Sequence, residues 1–175
     1  KEIHWFYQEG CSFIYPDAWE KYLSTIPEEE RGDLVSAYYK RLTSDNRSTR
    51  IEAARAWSTW EASTSKLFQS EKALHSFDNE KVSEAFARIE CHYFINKGFF
   101  GSDNWLIENV DKIKHLPTEI VQGRYDVVCP MISAWELHKA LPKSNFHIIQ
   151  DAGHSITEVG IRSKLIELTD RYLNN

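Results

Sequence analysis

The last sixty residues change the hydrophobic period of the chain, and this change constrains the fold more than any other feature. Short β-branched or apolar runs at 118–123 and 145–149 predict strands, whereas 131–141 and 161–173 predict helices. Strands that alternate with helices indicate a parallel sheet covered by helices. Two strands are too few for a stable parallel sheet. We therefore expect an incomplete sheet in this chain, and further sequence before Lys1.

The first part of the chain has a helical period and no clear strand. Prolines followed by acidic residues predict helix starts at Pro16 and Pro27. Apolar stripes predict three longer helices, at 33–42, 48–61 and 81–96. The sequence thus predicts two parts, a helical one over 1–115 and an α/β one over 116–175.

Composition excludes several classes of protein. The 21 Lys and Arg against 26 Asp and Glu give a net charge of −5, whereas nucleic-acid binders usually carry a basic excess. No apolar run reaches the roughly 18 residues of a membrane span. Three widely spaced cysteines, with no CxxC, argue against a disulfide scaffold or zinc ribbon and favour reduced thiols in a cytoplasmic protein. We expect no metal, no cofactor and no nucleic-acid or membrane partner.

An acid and a base follow the two predicted strands. Asp126 lies in the loop after the first strand, and His154 lies in the loop after the second. Loops beyond the carboxyl ends of parallel strands meet at one sheet edge, so the two side chains can come together. A carboxylate that accepts the Nδ1 hydrogen of an imidazole prepares the other nitrogen to take a proton from a serine. Each residue alone also fits an ordinary turn.

The order Asp then His near the C-terminal end is that of the α/β-hydrolases, in which the nucleophile comes earlier. That nucleophile should lie in a G-x-S-x-G elbow, and the chain contains none. The sequence therefore predicts two members of a catalytic triad, with the third expected upstream of Lys1.

Several strings in the chain resemble the proline iminopeptidases, also called prolyl aminopeptidases. The matching segments run in order along nearly the whole chain: 5–10, 14–19, 30–34, 56–61, 87–94, 121–130 and 151–155. The combination of Ala-Arg-Ile-Glu with Gly-Arg-Tyr-Asp is specific to this resemblance. It implies a serine α/β-hydrolase with a helical cap, which releases N-terminal proline from peptides without a metal.

The resemblance also implies a map of the site. Residues 1–115 resemble the cap and its return segment, and 116–175 resemble the C-terminal part of the α/β-hydrolase core. Asp126 and His154 match the triad acid and base. Glu61 and Glu90 match cap carboxylates that hold the charged amino terminus of the substrate. The implied walls of the proline pocket are Phe94, Val128, Cys129 and Tyr7.

Elementary chemistry is compatible with this map. Carboxylates bind a secondary ammonium through strong charge-assisted hydrogen bonds, and an apolar slot suits the proline ring. Glu90 and Phe94 lie four positions apart, so a helix would place them on one face. Without the resemblance, Glu61 and Glu90 fit ordinary surface positions of helices.

Two other classes of function remain open. The same core could belong to another α/β-hydrolase such as an esterase, or to a non-catalytic remnant that binds peptides. The 175 residues lack a nucleophile, and the missing strands would leave an exposed sheet edge and apolar faces. We therefore expect the isolated chain to be inactive, and either to aggregate or to depend on a partner. The sequence gives no oligomeric state.

Overall fold

The computed structural model describes residues 1–69 and 79–173. Contacts divide the chain into two compact units. The first unit comprises Lys1–Thr64 and Phe68–Phe100, and the second comprises Ser65–Leu67 and Gly101–Asn175. The units therefore part at Gly101, whereas the division inferred from the sequence lies at residue 115.

The first unit is helical throughout its described residues. Its α-helices are α1 Glu2–Tyr7, α2 Pro16–Ser24, α3 Leu34–Leu42, α4 Arg47–Thr64 and α5 Glu80–Ile95. Short 3₁₀ turns lie at Gly10–Phe13, Glu28–Glu30 and Lys97–Phe99. The helix start predicted at Pro27 is thus only a 3₁₀ turn.

Side-chain caps explain where two of the longer helices begin. Asp33 accepts a hydrogen bond from the backbone N–H of Ser36 and fixes the start of α3. Asn79 accepts from the backbone N–H groups of Lys81 and Val82 and fixes the start of α5.

Aromatic rings fill the core of the first unit. The rings of Tyr22 and Tyr38 stack with centroids 4.5 Å apart, and the Tyr38 hydroxyl donates to the Tyr22 carbonyl at 2.6 Å. Trp57 and Trp60 on α4 are almost fully buried in the same core. The small residue Ala87 on α5 is also fully buried, which is compatible with close packing of α4 against α5. Aromatic packing therefore forms a large part of the core of this unit.

The second unit contains the α/β part. Its elements are α6 Trp105–Glu108, a 3₁₀ turn Val110–Lys112, β1 Thr118–Gly123, α7 Met131–Ala140, β2 Ser144–Ile149 and α8 Val159–Leu173. Strands β1 and β2 pair in parallel, with Ile120 opposite Phe146. The ring of Trp135 on α7 contacts Phe146, and Gly160 on α8 approaches Ile149. Because residues 146 and 149 point to opposite faces, the two helices cover opposite sides of the sheet.

The sheet of the described residues has only these two strands. The side chains of both strands are mostly half-buried. Apolar side chains on the flanking helices, such as Ile132 and Ile166, are more than half exposed. The expected α/β fold with an incomplete parallel sheet is confirmed.

Candidate active site

Asp126 is held by four hydrogen bonds in the loop that follows β1. Its Oδ1 accepts the backbone N–H groups of Val128 at 3.1 Å and Cys129 at 2.8 Å. The amide of Gln122, on β1, donates to Oδ2 at 3.0 Å. The side chain is only 6% exposed. These donors satisfy the carboxylate and fix its direction, as a buried charge requires.

His154 supplies the remaining hydrogen bond. Its Nδ1 lies 3.0 Å from Oδ2 of Asp126, and its side chain is 38% exposed. A carboxylate beside Nδ1 places the hydrogen of the neutral imidazole there, which leaves Nε2 as the proton acceptor. The backbone N–H groups of His154 and Ser155 both donate to the carbonyl of Ser65, at 3.1 and 2.8 Å. This pair of bonds anchors the histidine loop.

Two glycines let the Asp and His loops approach each other. A Cβ atom on Gly123 would lie 1.9 Å from the carbonyl oxygen of Gly153, which is far inside van der Waals contact. Two backbone hydrogen bonds also join the loops, from Arg124 to Ile149 at 2.9 Å and from Tyr125 to Ala152 at 3.0 Å. The Asp126–His154 pair thus depends on close backbone contact between successive strand ends.

A second cluster of candidate residues lies in the helical unit. Tyr7, at the end of α1, donates its hydroxyl hydrogen to Glu61 on α4. Trp57, one turn before Glu61, donates its indole N–H to Oε2 of Glu90 on α5 at 2.9 Å. Tyr7, Trp57 and Glu61 are nearly or fully buried, and Glu90 is half-buried. The structure therefore assembles both glutamates around one tyrosine and one tryptophan.

Phe94 completes this cluster from the same helix as Glu90. Its ring centroid lies 5.1 Å from that of Tyr7 and 6.2 Å from that of Trp57. Helix α5 contains both Glu90 and Phe94, so one helical turn separates them. The result is two carboxylates beside an aromatic surface.

Burial changes the protonation of this cluster. Desolvation and, secondarily, the neighbouring Glu90 raise the pKa of Glu61 to about 8, and the hydrogen bond from Tyr7 opposes this rise. Burial, together with the two carboxylates, also raises the pKa of the Tyr7 hydroxyl well above its ordinary value. Near neutral pH, Glu61 therefore holds a proton and Tyr7 keeps its own.

The remaining sequence candidates lie beside Asp126. Val128 is buried and Cys129 is half-buried, and the backbone of each contributes a hydrogen bond to the carboxylate. Their position in the Asp126 turn gives them a structural role whether or not their side chains contact a ligand.

Sequence reasoning missed two polar side chains that the structure brings to these clusters. The indole N–H of Trp57, a residue of the helical core, donates to Glu90. The side-chain amide of Gln122, on β1, donates to both Asp126 and the Cys129 carbonyl. Trp57 lies four positions before Glu61, and this spacing predicts that a helix places both residues on one face. Nothing in the sequence singles out Gln122.

Within residues 1–69 and 79–173, no group of three or more His, Cys, Asp or Glu is arranged to hold a metal ion. Among the same residues, no helix is both long and apolar enough to cross a bilayer.

Comparison with known proteins identifies the family. Residues 9–160 match the family described as the alpha/beta hydrolase fold, and the chain belongs to that family. The chain is 59% identical over 173 residues to a probable proline iminopeptidase of Leptolyngbya boryana, covering 99% of this chain and 54% of that protein. It is 54% identical to the proline iminopeptidase of Arabidopsis thaliana, covering 98% of this chain and 45% of that protein. It is 38% identical to the proline iminopeptidase of Neisseria gonorrhoeae, covering 94% and 51% respectively.

The chain spans about half the length of the curated relatives it matches. The matched part is their C-terminal half, which corresponds to the C-terminal portion of an α/β-hydrolase. The resemblance inferred from the sequence strings is therefore confirmed.

Proposed function

We propose that this chain is the C-terminal portion of a serine aminopeptidase that releases N-terminal proline from peptides. The hydrogen bond between His154 and Asp126 at 3.0 Å carries the proposal, because it joins an acid and a base in the α/β-hydrolase order. The names of the relatives support the choice of substrate. The nucleophilic serine is supplied by sequence outside the 175 residues.

In the proposed reaction, His154 acts first as a base and then as an acid. Its Nε2 takes the proton of the serine hydroxyl while the serine oxygen bonds to the prolyl carbonyl carbon. His154 then gives this proton to the departing amine of the next residue, which leaves a prolyl ester on the serine. Water attacks this ester by the same route and releases proline. Asp126 keeps the hydrogen on Nδ1 and stabilises the imidazolium throughout.

Glu61 and Glu90 are the proposed anchors of the substrate's amino terminus. Proline has a secondary amine, and as an ammonium it offers two hydrogens to two carboxylates. Phe94, Tyr7, Val128 and Cys129 are the proposed walls for the apolar ring. The proposed partners are therefore peptides that begin with proline.

A substrate comparison in the full-length protein tests the amine anchor. Glu90→Ala should reduce hydrolysis of a prolyl amide far more than hydrolysis of a simple uncharged ester. The loss of one charge-assisted hydrogen bond of roughly 1.5–3 kcal/mol corresponds to about ten- to a hundredfold in kcat/KM. Glu20→Ala, an exposed glutamate on α2, is the matched control and should leave both rates unchanged.

The outcomes separate the candidate functions. Equal losses on both substrates would refute the amine anchor and favour an esterase-like hydrolase. Binding of N-terminal prolyl peptides without turnover would favour a peptide-binding protein without catalysis. His154→Ala should abolish turnover of both substrates, and survival of activity would refute the assigned base.

We also propose a cytoplasmic location. All three cysteines are thiols, and Cys11 and Cys91 are buried in the helical unit. Reduced cysteines are typical of cytoplasmic proteins. Fractionation of cells that express the full-length protein would test this proposal.

A further inference from the structure

Two stacked rings hold the carboxylates of the helical unit. The rings of Tyr7 and Trp57 lie nearly parallel, with centroids 4.3 Å apart and planes inclined by 19°. Each ring has one polar hydrogen, and each hydrogen is directed to a different glutamate, Tyr7 to Glu61 and Trp57 to Glu90. Tyr7 is 3% exposed and Trp57 is fully buried, so packing fixes both donors.

We propose that Tyr7 and Trp57 are positioning residues of the amine site, which hold Glu61 and Glu90 so that the two carboxyl groups share one proton, and that a bound ammonium displaces this proton. The inference rests on the proposed function and specifies how the same site responds to pH. It predicts that substrate binding is accompanied by proton release at mildly acidic pH.

The geometry explains why the two carboxyl groups would not both stay ionised. Glu61 is only 7% exposed. It is hydrogen-bonded to Tyr7, whose ring stacks on Trp57, and Trp57 is hydrogen-bonded to the second carboxylate, Glu90. Two like charges in a poorly hydrated place repel, and one proton removes this repulsion. The rise in the pKa of Glu61 to about 8, with Glu90 as its second cause, agrees with this geometry.

The groups that face Glu61 from neighbouring helices are also acids. They are Tyr7 on α1, Tyr22 on α2 and Glu90 on α5. Tyr38 and the capping Asp33 of α3, and Cys91 of α5, interact in turn with Tyr22. Burial raises the pKa of Cys91 to about 12 and those of the three tyrosines well above their usual range. None of these four groups loses its proton below pH 9.

Two arginines of α4 form ion pairs with glutamates of α5. Arg50 pairs with Glu84 at 2.7 Å, and Arg55 pairs with Glu80 at 2.9 Å. Both arginines lie more than one turn before Glu61 on the helix.

The exchange balances in charge and protons. Before binding, the pair carries one proton and one negative charge. When the ammonium of a prolyl peptide binds, the shared proton leaves to solvent, and two carboxylates face one ammonium. Near pH 9 the pair has already lost its proton, while a free α-amino group, with a pKa of about 8, is mostly neutral. Binding then takes up a proton, because the amine must become an ammonium.

Calorimetry in two buffers of different ionisation enthalpy measures this exchange. The full-length protein carries His154→Ala, so that the ligand, prolyl-alanine amide, is not hydrolysed. At pH 6.5 we expect release of about one proton for each ligand bound, and at pH 9.0 we expect proton uptake. Binding at pH 6.5 without proton release would show that both carboxylates are already ionised and would overturn the inference.

Two variants test the positioning role. Tyr7→Phe removes a donor that favours the ionised form of Glu61, so the pH at which release changes to uptake should rise. Trp57→Phe keeps a ring but removes the N–H that holds Glu90, and it should weaken ligand binding about tenfold. Tyr39→Phe, on α3 of the same unit, is the matched control and should change neither quantity.

The two variants together distinguish loss of the positioning role from failure to fold. The crossover pH is the pH at which proton release on binding changes to proton uptake. If Trp57→Phe fails to fold, the crossover pH of Tyr7→Phe still tests whether these donors position the carboxylates. An unchanged crossover pH in Tyr7→Phe would refute the positioning role, since a purely structural tyrosine would not move it.

A further ligand distinguishes this inference from the proposed function. N-acetyl-prolyl-alanine amide has no amine and should bind far more weakly. Equal binding of the acetylated and unacetylated ligands, or no binding of prolyl-alanine amide at all, would overturn the proposed function and this inference together. Preferential binding of the amine without proton release would overturn the inference alone.

Discussion

Replacing Glu61 by glutamine should change how the stability of the protein depends on pH. Burial and Glu90 raise the pKa of Glu61 from 4.5 to about 8. Between these values the folded state retains a proton that the unfolded state has released, so the folded state binds more protons. Stability therefore falls as pH rises through this window, and the cost is complete above the folded pKa.

The size of the effect follows from the shift. Each pH unit within the window costs about 1.4 kcal/mol, and the whole shift corresponds to a cost on the order of 5 kcal/mol near pH 8. Glutamine has no proton to lose, and its side-chain oxygen can still accept the Tyr7 hydrogen bond. The free energy of unfolding of Glu61→Gln should therefore exceed that of the wild type progressively from pH 5 to pH 8.

Denaturant unfolding followed by tryptophan fluorescence, at pH 5, 6, 7 and 8, measures this difference. The matched control is Glu20→Gln, an exposed glutamate on α2 whose replacement should give a difference independent of pH. If the difference for Glu61→Gln is also constant from pH 5 to pH 8, then Glu61 is ionised throughout. That result would refute the reasoning from burial.

Three further predictions concern the fold and its edges. Gly123→Ala should lower stability by about 1–3 kcal/mol and disturb the Asp126 loop, because its Cβ would meet the Gly153 carbonyl at 1.9 Å. The control is Gly32→Ala, where a Cβ has nothing within 4 Å, and equal melting temperatures of the two variants would contradict the contact. Asp33→Ala should cost about 1 kcal/mol in denaturant unfolding through loss of the α3 cap, whereas Asp33→Asn should retain most of it; equal losses would contradict the capping role. The isolated 175 residues should self-associate, because the described sheet has two strands and its flanking helices expose apolar side chains. Light scattering would detect this association, and a monomer that melts cooperatively would contradict the prediction.

The sequence predicts the helices and strands well because their periods and caps are local signals. Strand β1 begins and ends as predicted from its β-branched run, and α5 differs from its prediction by one residue at each end. The segment after Pro27 forms only a 3₁₀ turn, since its three glutamates provide a favourable first turn but no following apolar stripe.

The candidate site could be predicted only in part. Asp126 and His154 follow from their places after successive strands, which topology brings together. Glu61 and Glu90 came from the resemblance, because two glutamates on different helices carry no sign of their proximity. The donor roles of Trp57 and Gln122 depend on tertiary packing, and a linear pattern does not encode it.

The close approach of Gly123 to the Gly153 carbonyl makes the placement of the catalytic pair depend on backbone atoms. The Asp126 and His154 loops are joined by backbone atoms, through the N–H groups of Arg124 and Tyr125, whatever side chains those two positions carry. Tyr125 is 57% exposed, so its side chain can vary without touching this junction. The loop that bears the acid thus combines a hydrogen-bonded inner backbone with an exposed outer side chain. A substitution of the Tyr125 side chain should therefore leave the relative placement of acid and base unchanged, because backbone atoms set that placement.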